Sequence, residues 1–259
     1  MTDERSSPQA GEPASDQEEA GPDLVAEALA YLRASVSGDE PTSWPPPLAR
    51  QKACLAEWAR GLGLLLSSTD LPTKSVKGGQ EHDLWHDEST DRYWKSTRSG
   101  IFGLQPGIDL ALVSSGHDAR RFHLWEANPV EYLDRLYLHN QLVPGLNRFE
   151  GCILQGEGDE LIIVTSQPRF DIEPVDTAEI DAWFAELGFQ KITDSAYYRA
   201  DDNLGVFDAH DKNLVRFEDT LIPFDVIPCQ PAGGFLAFIE ETLATGHTLH
   251  AIRSTHTSH

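Results

Sequence analysis

The sequence predicts an α+β fold, and three features carry that prediction. Two runs near the front repeat apolar residues at helical spacing, a long middle stretch breaks into short aromatic or β-branched segments bounded by turn residues, and Asn128-Pro-Val-Glu opens a well-signalled helix among those segments. With 259 residues, 40% of them hydrophobic, the chain is long enough for one or two domains with a sizeable core.

Residues 1–22 contain no Leu, Ile, Val, Phe, Trp or Tyr. Such a stretch cannot bury enough apolar surface to offset the entropy of ordering, which predicts a disordered acidic tail. From Asp23, a plausible N-cap, Leu24, Val25, Ala28, Leu29 and Leu32 predict an amphipathic helix. Four prolines between Pro41 and Pro47 predict a linker. Leu48, Leu55, Trp58, Leu62 and Leu65 then predict a second helix over Leu48–Leu66.

Past Thr73 the period changes to that of an antiparallel meander. Lys77-Gly78-Gly79-Gln80 reads as a turn, His82–His86 as a strand, Glu88–Asp91 as a turn and Arg92–Thr97 as a strand. At Asn128 the sequence supplies an N-cap, a proline at the first helical position and a capping-box Glu131, so a helix follows until Val143-Pro144-Gly145. Strands are expected over Arg148–Gln155 and Glu160–Ser166, a helix over Thr177–Leu187 stopped by Gly188, short strands over Ala196–Ile227 and a last helix over Ala232–Ala244.

Charge and composition narrow the function classes. There are 42 Asp+Glu against 20 Lys+Arg, a formal net charge of −22, which argues against a protein built to neutralise nucleic-acid phosphates. The front of the chain lacks a secretory layout, and its longest apolar run, Leu62–Leu66, is too short to span a bilayer, so a cytoplasmic protein with no membrane partner is expected. Cys54, Cys152 and Cys229 form no CxxC pair and read as reduced structural thiols. His247, His250, His256 and His259 match no compact zinc site. No Rossmann glycine fingerprint, Walker A sequence or nucleophile elbow occurs.

The chemistry concentrates in Val206-Phe-Asp208-Ala-His210-Asp-Lys-Asn213 and in Leu221-Ile-Pro-Phe-Asp225-Val-Ile. Two acids and an amide at this spacing offer hard oxygen ligands and a base. Asp225 sits in an apolar run, where a carboxylate must be paired, hydrogen-bonded or bound to a cation. The same residues equally suit a structural account, with Asp208 and Asn213 forming a turn and Asp225 pairing a nearby Lys or Arg.

Asp208-Ala-His210-Asp-Lys-Asn213 resembles the D-x-H-x-x-N catalytic loop of atypical kinases and aminoglycoside-type phosphotransferases, with Asp225 where their metal-binding aspartate follows. The run from about Thr73 to Cys229 is similar to the kinase-like domain of phage and mobile-element polyvalent proteins. The resemblance implies a two-lobed kinase-like fold with an antiparallel N-lobe sheet over 71–166 and a reduced C-lobe over 167–247, preceded by a helical segment over 23–70 and followed by a tail over 248–259. It implies ATP and Mg²⁺ as cofactors and transfer of the γ-phosphoryl to a hydroxyl acceptor, protein or small molecule.

The resemblance also assigns roles. Lys95 would grip phosphates from a strand face shared with Tyr93 and Thr97, Asp208 would serve the acceptor hydroxyl, and Asn213 and Asp225 would hold the metal. Gly78 and Gly79 would cover the nucleotide, and Glu131 would pair with Lys95, although a capping box accounts for Glu131 equally well. His210 would buttress its loop. Gln167 would lie at the adenine-facing hinge, where its backbone matters more than its amide. Asp208 is not preceded by His-Arg, no Phe-Gly follows Asp225, and 34 residues remain after Asp225, which leaves little room for a peptide-docking lobe. A catalytically weak binding or interaction module and a small-molecule phosphotransferase are the alternative readings.

Overall fold

The computed structural model describes residues 23–36, 48–79, 81–108, 122–156, 160–171, 173, 175–218 and 220–246. The acidic tail, the proline-rich linker and the C-terminal histidines lie outside these residues. Helix α1 (Leu24–Val36) starts where expected, with the Asp23 carboxylate accepting from the amides of Val25 and Ala26. Helix α2 (Leu48–Gly61) ends before Leu66. Gly63 takes a φ of 71°, the Leu64 amide folds back onto the Ala59 carbonyl, and Leu65–Leu66 becomes strand β1. The apolar period continues past the helix end because these leucines face the same core as a strand.

The expected meander strands appear as β3 (His82–Asp87) and β4 (Arg92–Thr97), preceded by a short strand β2 (Lys74–Val76). A hairpin of β5 (Leu104–Ile108) and β6 (Phe122–Glu126) then precedes helix α3 (Pro129–Leu142). At the start of α3, Asn128 and Glu131 exchange side-chain-to-backbone hydrogen bonds of 3.1 and 2.8 Å, a complete capping box. Gln51 of α2 accepts from the Val130 amide, satisfying a further helix-end donor.

Strands β7 (Arg148–Gln155) and β8 (Glu160–Pro168) complete a six-stranded sheet of order β1-β7-β8-β4-β3-β2, antiparallel except for the β1–β7 pair. Gly151 permits the β1–β7 contact, since a Cβ there would collide with the Leu64 carbonyl and the Leu66 side chain. Tyr132, Leu133 and Leu136 of α3 share one apolar cluster with Phe149, Cys152 and Ile163 of the sheet and with Leu29, Leu32 and Leu55 of α1 and α2. Residues on both sides of position 70 therefore build a single core.

The remainder comprises α4 (Thr177–Glu186), β9 (Gln190–Thr193), β10 (Ala196–Arg199), β11 (Leu204–Phe207), β12 (Val215–Phe217), β13 (Thr220–Ile222), β14 (Ile227–Cys229) and α5 (Gly233–Thr245). A four-stranded sheet runs β14-β11-β10-β9, and β12 pairs with β13. Its core includes Phe184 of α4 stacked on Tyr197, centroids 4.0 Å apart. The described residues thus form a mixed fold of five helices and predominantly antiparallel sheets, compatible with the α+β expectation. The sequence reading does not anticipate strands β1, β2, β5, β6 and β9. All three cysteines are free, and burial pushes the Cys152 thiol up to about 12, as befits an inert core residue. No described helix is long and apolar enough to cross a membrane.

Candidate functional site

A cavity of about 670 Å³ opens between the six-stranded sheet and the two loops that flank the β12–β13 hairpin. Its size lies in the range of small-molecule sites. Of the residues singled out in the sequence, Gly79, Lys95, Gln167, Asp208, Asn213 and Asp225 line it. Gly78 does not; its lack of a side chain lets the backbone approach the His82 carbonyl.

The alternation of β4 turns Tyr93 and Lys95 into the cavity. Lys95 Nζ lies 3.0 Å from Asp225 Oδ1, 130 residues away in sequence. The Asp225 side chain keeps 42% of its surface accessible through the cavity mouth, yet the walls enclose it closely. Burial opposes its charge, but the Lys95 and Arg135 cations prevail and hold its pKa below the ordinary carboxylate value.

Asp208 follows β11 in a left-handed conformation with a φ of 55°. Asn213 stabilises that conformation, since its Nδ2 donates to both the Asp208 carbonyl, at 2.7 Å, and Asp208 Oδ2, at 2.9 Å. The loop closes further through Asn213 N to His210 O, and the Asp225 amide donates to the Asn213 carbonyl, which joins the two loops. His210 Nε2 stands 3.5 Å from Asp208 Oδ1. With its amide nitrogen directed at Asp208, Asn213 keeps its amide oxygen as the atom a cation would take.

Glu131 lies elsewhere. Its carboxylate is committed to the Asn128 amide, and the ion pair of Lys95 goes to Asp225. The α3 residue that approaches the site is Arg135, buried and paired with Glu81 at 2.8 Å; Glu81 also accepts from the Leu104 amide. Burial works against the Arg135 charge, but Glu81 and Asp225 more than compensate and raise its pKa. His82 is buried between these groups, its Nε2 3.0 Å from Tyr132 Oη; desolvation and the Lys95 charge lower its pKa to about 4. Sequence reading missed Glu81, His82 and Arg135 as site residues. A signal existed for one of them: Arg135 and His139 interrupt the helical stripe of Tyr132 and Leu136 on a face that must be buried.

Among the described residues no group of three or more His, Cys, Asp or Glu side chains forms a metal cluster. No curated protein and no solved structure matches the chain. Residues 120–228 do match a family, Kinase-PolyVal, described as serine/threonine/tyrosine kinases found in polyvalent proteins. Glu131, Gln167, Asp208, Asn213 and Asp225 fall inside the match, whereas Gly78, Gly79 and Lys95 precede it. The match supports a kinase-like domain of that type over residues 120–228.

Proposed function

We propose that the protein is an atypical, two-lobed kinase that binds Mg·ATP in this cavity and transfers its γ-phosphoryl to a hydroxyl acceptor. The observation that carries the reading is the convergence of Lys95, Asp208, Asn213 and Asp225, from three separate stretches of chain, on one cavity. The sheet order supports it, with five antiparallel strands and a helix inserted between the third and fourth of them in chain order. The donor set fits the metal: one or two carboxylates and an amide oxygen are hard ligands, and Mg²⁺ ordinarily completes its shell with water and nucleotide phosphates.

Within this reading, Lys95 exchanges the Asp225 carboxylate for a phosphate oxygen and fixes the nucleotide against β4. Asp208, held by Asn213, orients the acceptor hydroxyl and takes its proton. The enclosing walls exclude water from the reacting groups. Bound Mg²⁺, held by Asn213 and Asp225, would neutralise phosphate charge.

A second reading, a nucleotide-binding module of weak activity, is favoured by one observation: Glu131 caps α3 and supplies no partner to Lys95. Thermal-shift titration with ATP, Mg²⁺ and both, combined with ATP turnover to ADP, tests the two. For a kinase, ATP with Mg²⁺ raises the melting temperature beyond either alone. Asp225→Ala then abolishes the Mg²⁺-dependent increment, and Asp208→Asn keeps binding but lowers turnover by about 10²-fold or more. Turnover unchanged in Asp208→Asn removes the carboxylate from the mechanism, and the lack of any ATP-dependent shift defeats both readings.

A further inference from the structure

His139 is a buried titratable group that the proposed chemistry leaves without a role. It lies on α3, 3% exposed, and its Nε2 is hydrogen-bonded to the carbonyl of Pro223, 84 positions away in sequence. A carbonyl can only accept, so the contact places the ring hydrogen on Nε2. Desolvation lowers the pKa of the imidazole to about 4, which keeps it neutral and leaves Nδ1 bare.

Pro223 shares with Asp225 the short stretch between β13 and β14. Pairing of β13 ends at Ile222 and that of β14 begins at Ile227, so no strand ladder fixes the residues between them. That stretch is held by the Lys95–Asp225 ion pair, by the Asp225 amide donating to the Asn213 carbonyl at 3.3 Å, and by His139. Arg135, one helical turn before His139, lines together with His139, Phe224 and Asp225 a gap of about 10 Å³, room for about one water, so the helix packs closely on the loop. In the phosphoryl-transfer reading Lys95 leaves Asp225 for a phosphate oxygen, and the first of these holds is lost when the metal needs the carboxylate. The contacts from Asn213 and His139 remain, and of these two only His139 belongs to a regular element.

We propose that His139 is a positioning residue for the metal site: by holding the Pro223 carbonyl against α3, it keeps the Asp225 carboxylate directed into the cavity after Lys95 has turned to the nucleotide. The proposal rests on the kinase reading and adds to it a residue that touches neither nucleotide nor metal. Partners that orient a metal ligand from behind typically cost about 10- to 100-fold in metal affinity or activity when they are removed. A purely structural His139 would instead change stability and leave the metal dependence of the folded protein alone.

Two measurements test it. Nitrogen NMR on wild-type protein with isotope-labelled histidine should find the His139 hydrogen on Nε2, both in the free protein and with Mg·ATP added; the Nδ1–H tautomer, or a change of tautomer on loading, overturns the proposal. The second measurement titrates Mg²⁺ at fixed ATP and reads the melting shift. In His139→Met, an unbranched apolar replacement without a donor, the Mg²⁺ concentration giving half the shift should rise about 10- to 100-fold, while the shift with ATP alone stays as in wild type. His139→Gln, whose amide nitrogen can donate in place of Nε2, should stay near wild type. An unchanged Mg²⁺ dependence in His139→Met, with only the melting temperature lowered, makes His139 structural and overturns the proposal, and so does a His139→Gln that needs as much Mg²⁺ as His139→Met. Should His139→Met fail to fold, the wild-type tautomer and the His139→Gln titration decide. Absence of any Mg²⁺-dependent shift in the wild type removes the kinase reading and the proposal together, an outcome told apart from loss of the His139 contact alone by the tautomer of the free protein.

Discussion

His82 is held neutral beneath the cavity by its surroundings. Lys95 on β4 and Arg135 on α3 disfavour its protonation, Glu81 and Asp225 favour it, and desolvation outweighs them all, giving a pKa of about 4 in place of 6.5. Between these values the unfolded chain binds a proton that the folded chain refuses. The stabilisation is therefore complete above pH 6.5 and is lost as the pH falls toward 4. Urea unfolding midpoints should decline across this window, with His82 contributing a slope of at most about 1.4 kcal/mol per pH unit. His82→Gln, which still reaches Tyr132 with a polar group, should flatten the decline; an unchanged slope would mean that the imidazole is protonated in the fold. At the same scale, Asp208 could be read from the sequence as a turn or a catalytic residue. The structure shows the turn, since Asn213 grips Asp208 by backbone and side chain.

Helix α3 shows most directly how residue choice becomes an element. Asn128, Glu131 and Gln51 together satisfy donors that the helix start would otherwise leave open. Asn128→Ala should cost about 1 kcal/mol in denaturant unfolding. Glu131→Gln should cost less, because a capping box accepts either side chain, and it should leave the ATP·Mg²⁺ melting shift unaltered. A lost shift would return Glu131 to the nucleotide site. This helix was legible because capping is local: four consecutive residues state the whole interaction. The β5–β6 hairpin was not, since Pro106-Gly107 reads as a turn but sits inside a strand, where a Cβ on Gly107 would press against Trp125 at 3.2 Å. The same distinction divides the site. The Asp208–Asn213 loop could be recognised from six neighbouring residues, whereas only the resemblance assigned Lys95 and Asp225 to one site and the Glu81–Arg135 pair did not surface at all. No sequence spacing tells that β8 lies beside β4 and so brings distant charges over one helix.

At the scale of the molecule, the N-terminal helices are part of the interior. Val25, Leu29, Leu32 and Leu55 close the face of α3 that the sheet does not cover, and β1 continues the sheet beyond β7. A fragment beginning after residue 70 should expose this face and unfold at lower denaturant than residues 23–246, as far-UV circular dichroism during urea titration would show; an equal midpoint would make the helices an attachment. The place of β8 between β7 and β4 leads further. The family match starts at residue 120, so it includes β7 and β8 but not β4. Cut there, β8 would turn a row of unpaired backbone groups outward, which is the template on which chains stick edge to edge. Such a piece would retain Asp208, Asn213, Asp225 and Arg135 while having lost Lys95, the ion-pair partner of Asp225. The stretch that is recognisable by likeness is therefore not portable as a module: moved into another protein, it would have to find a strand there to replace Arg92–Thr97 before it could stay in solution.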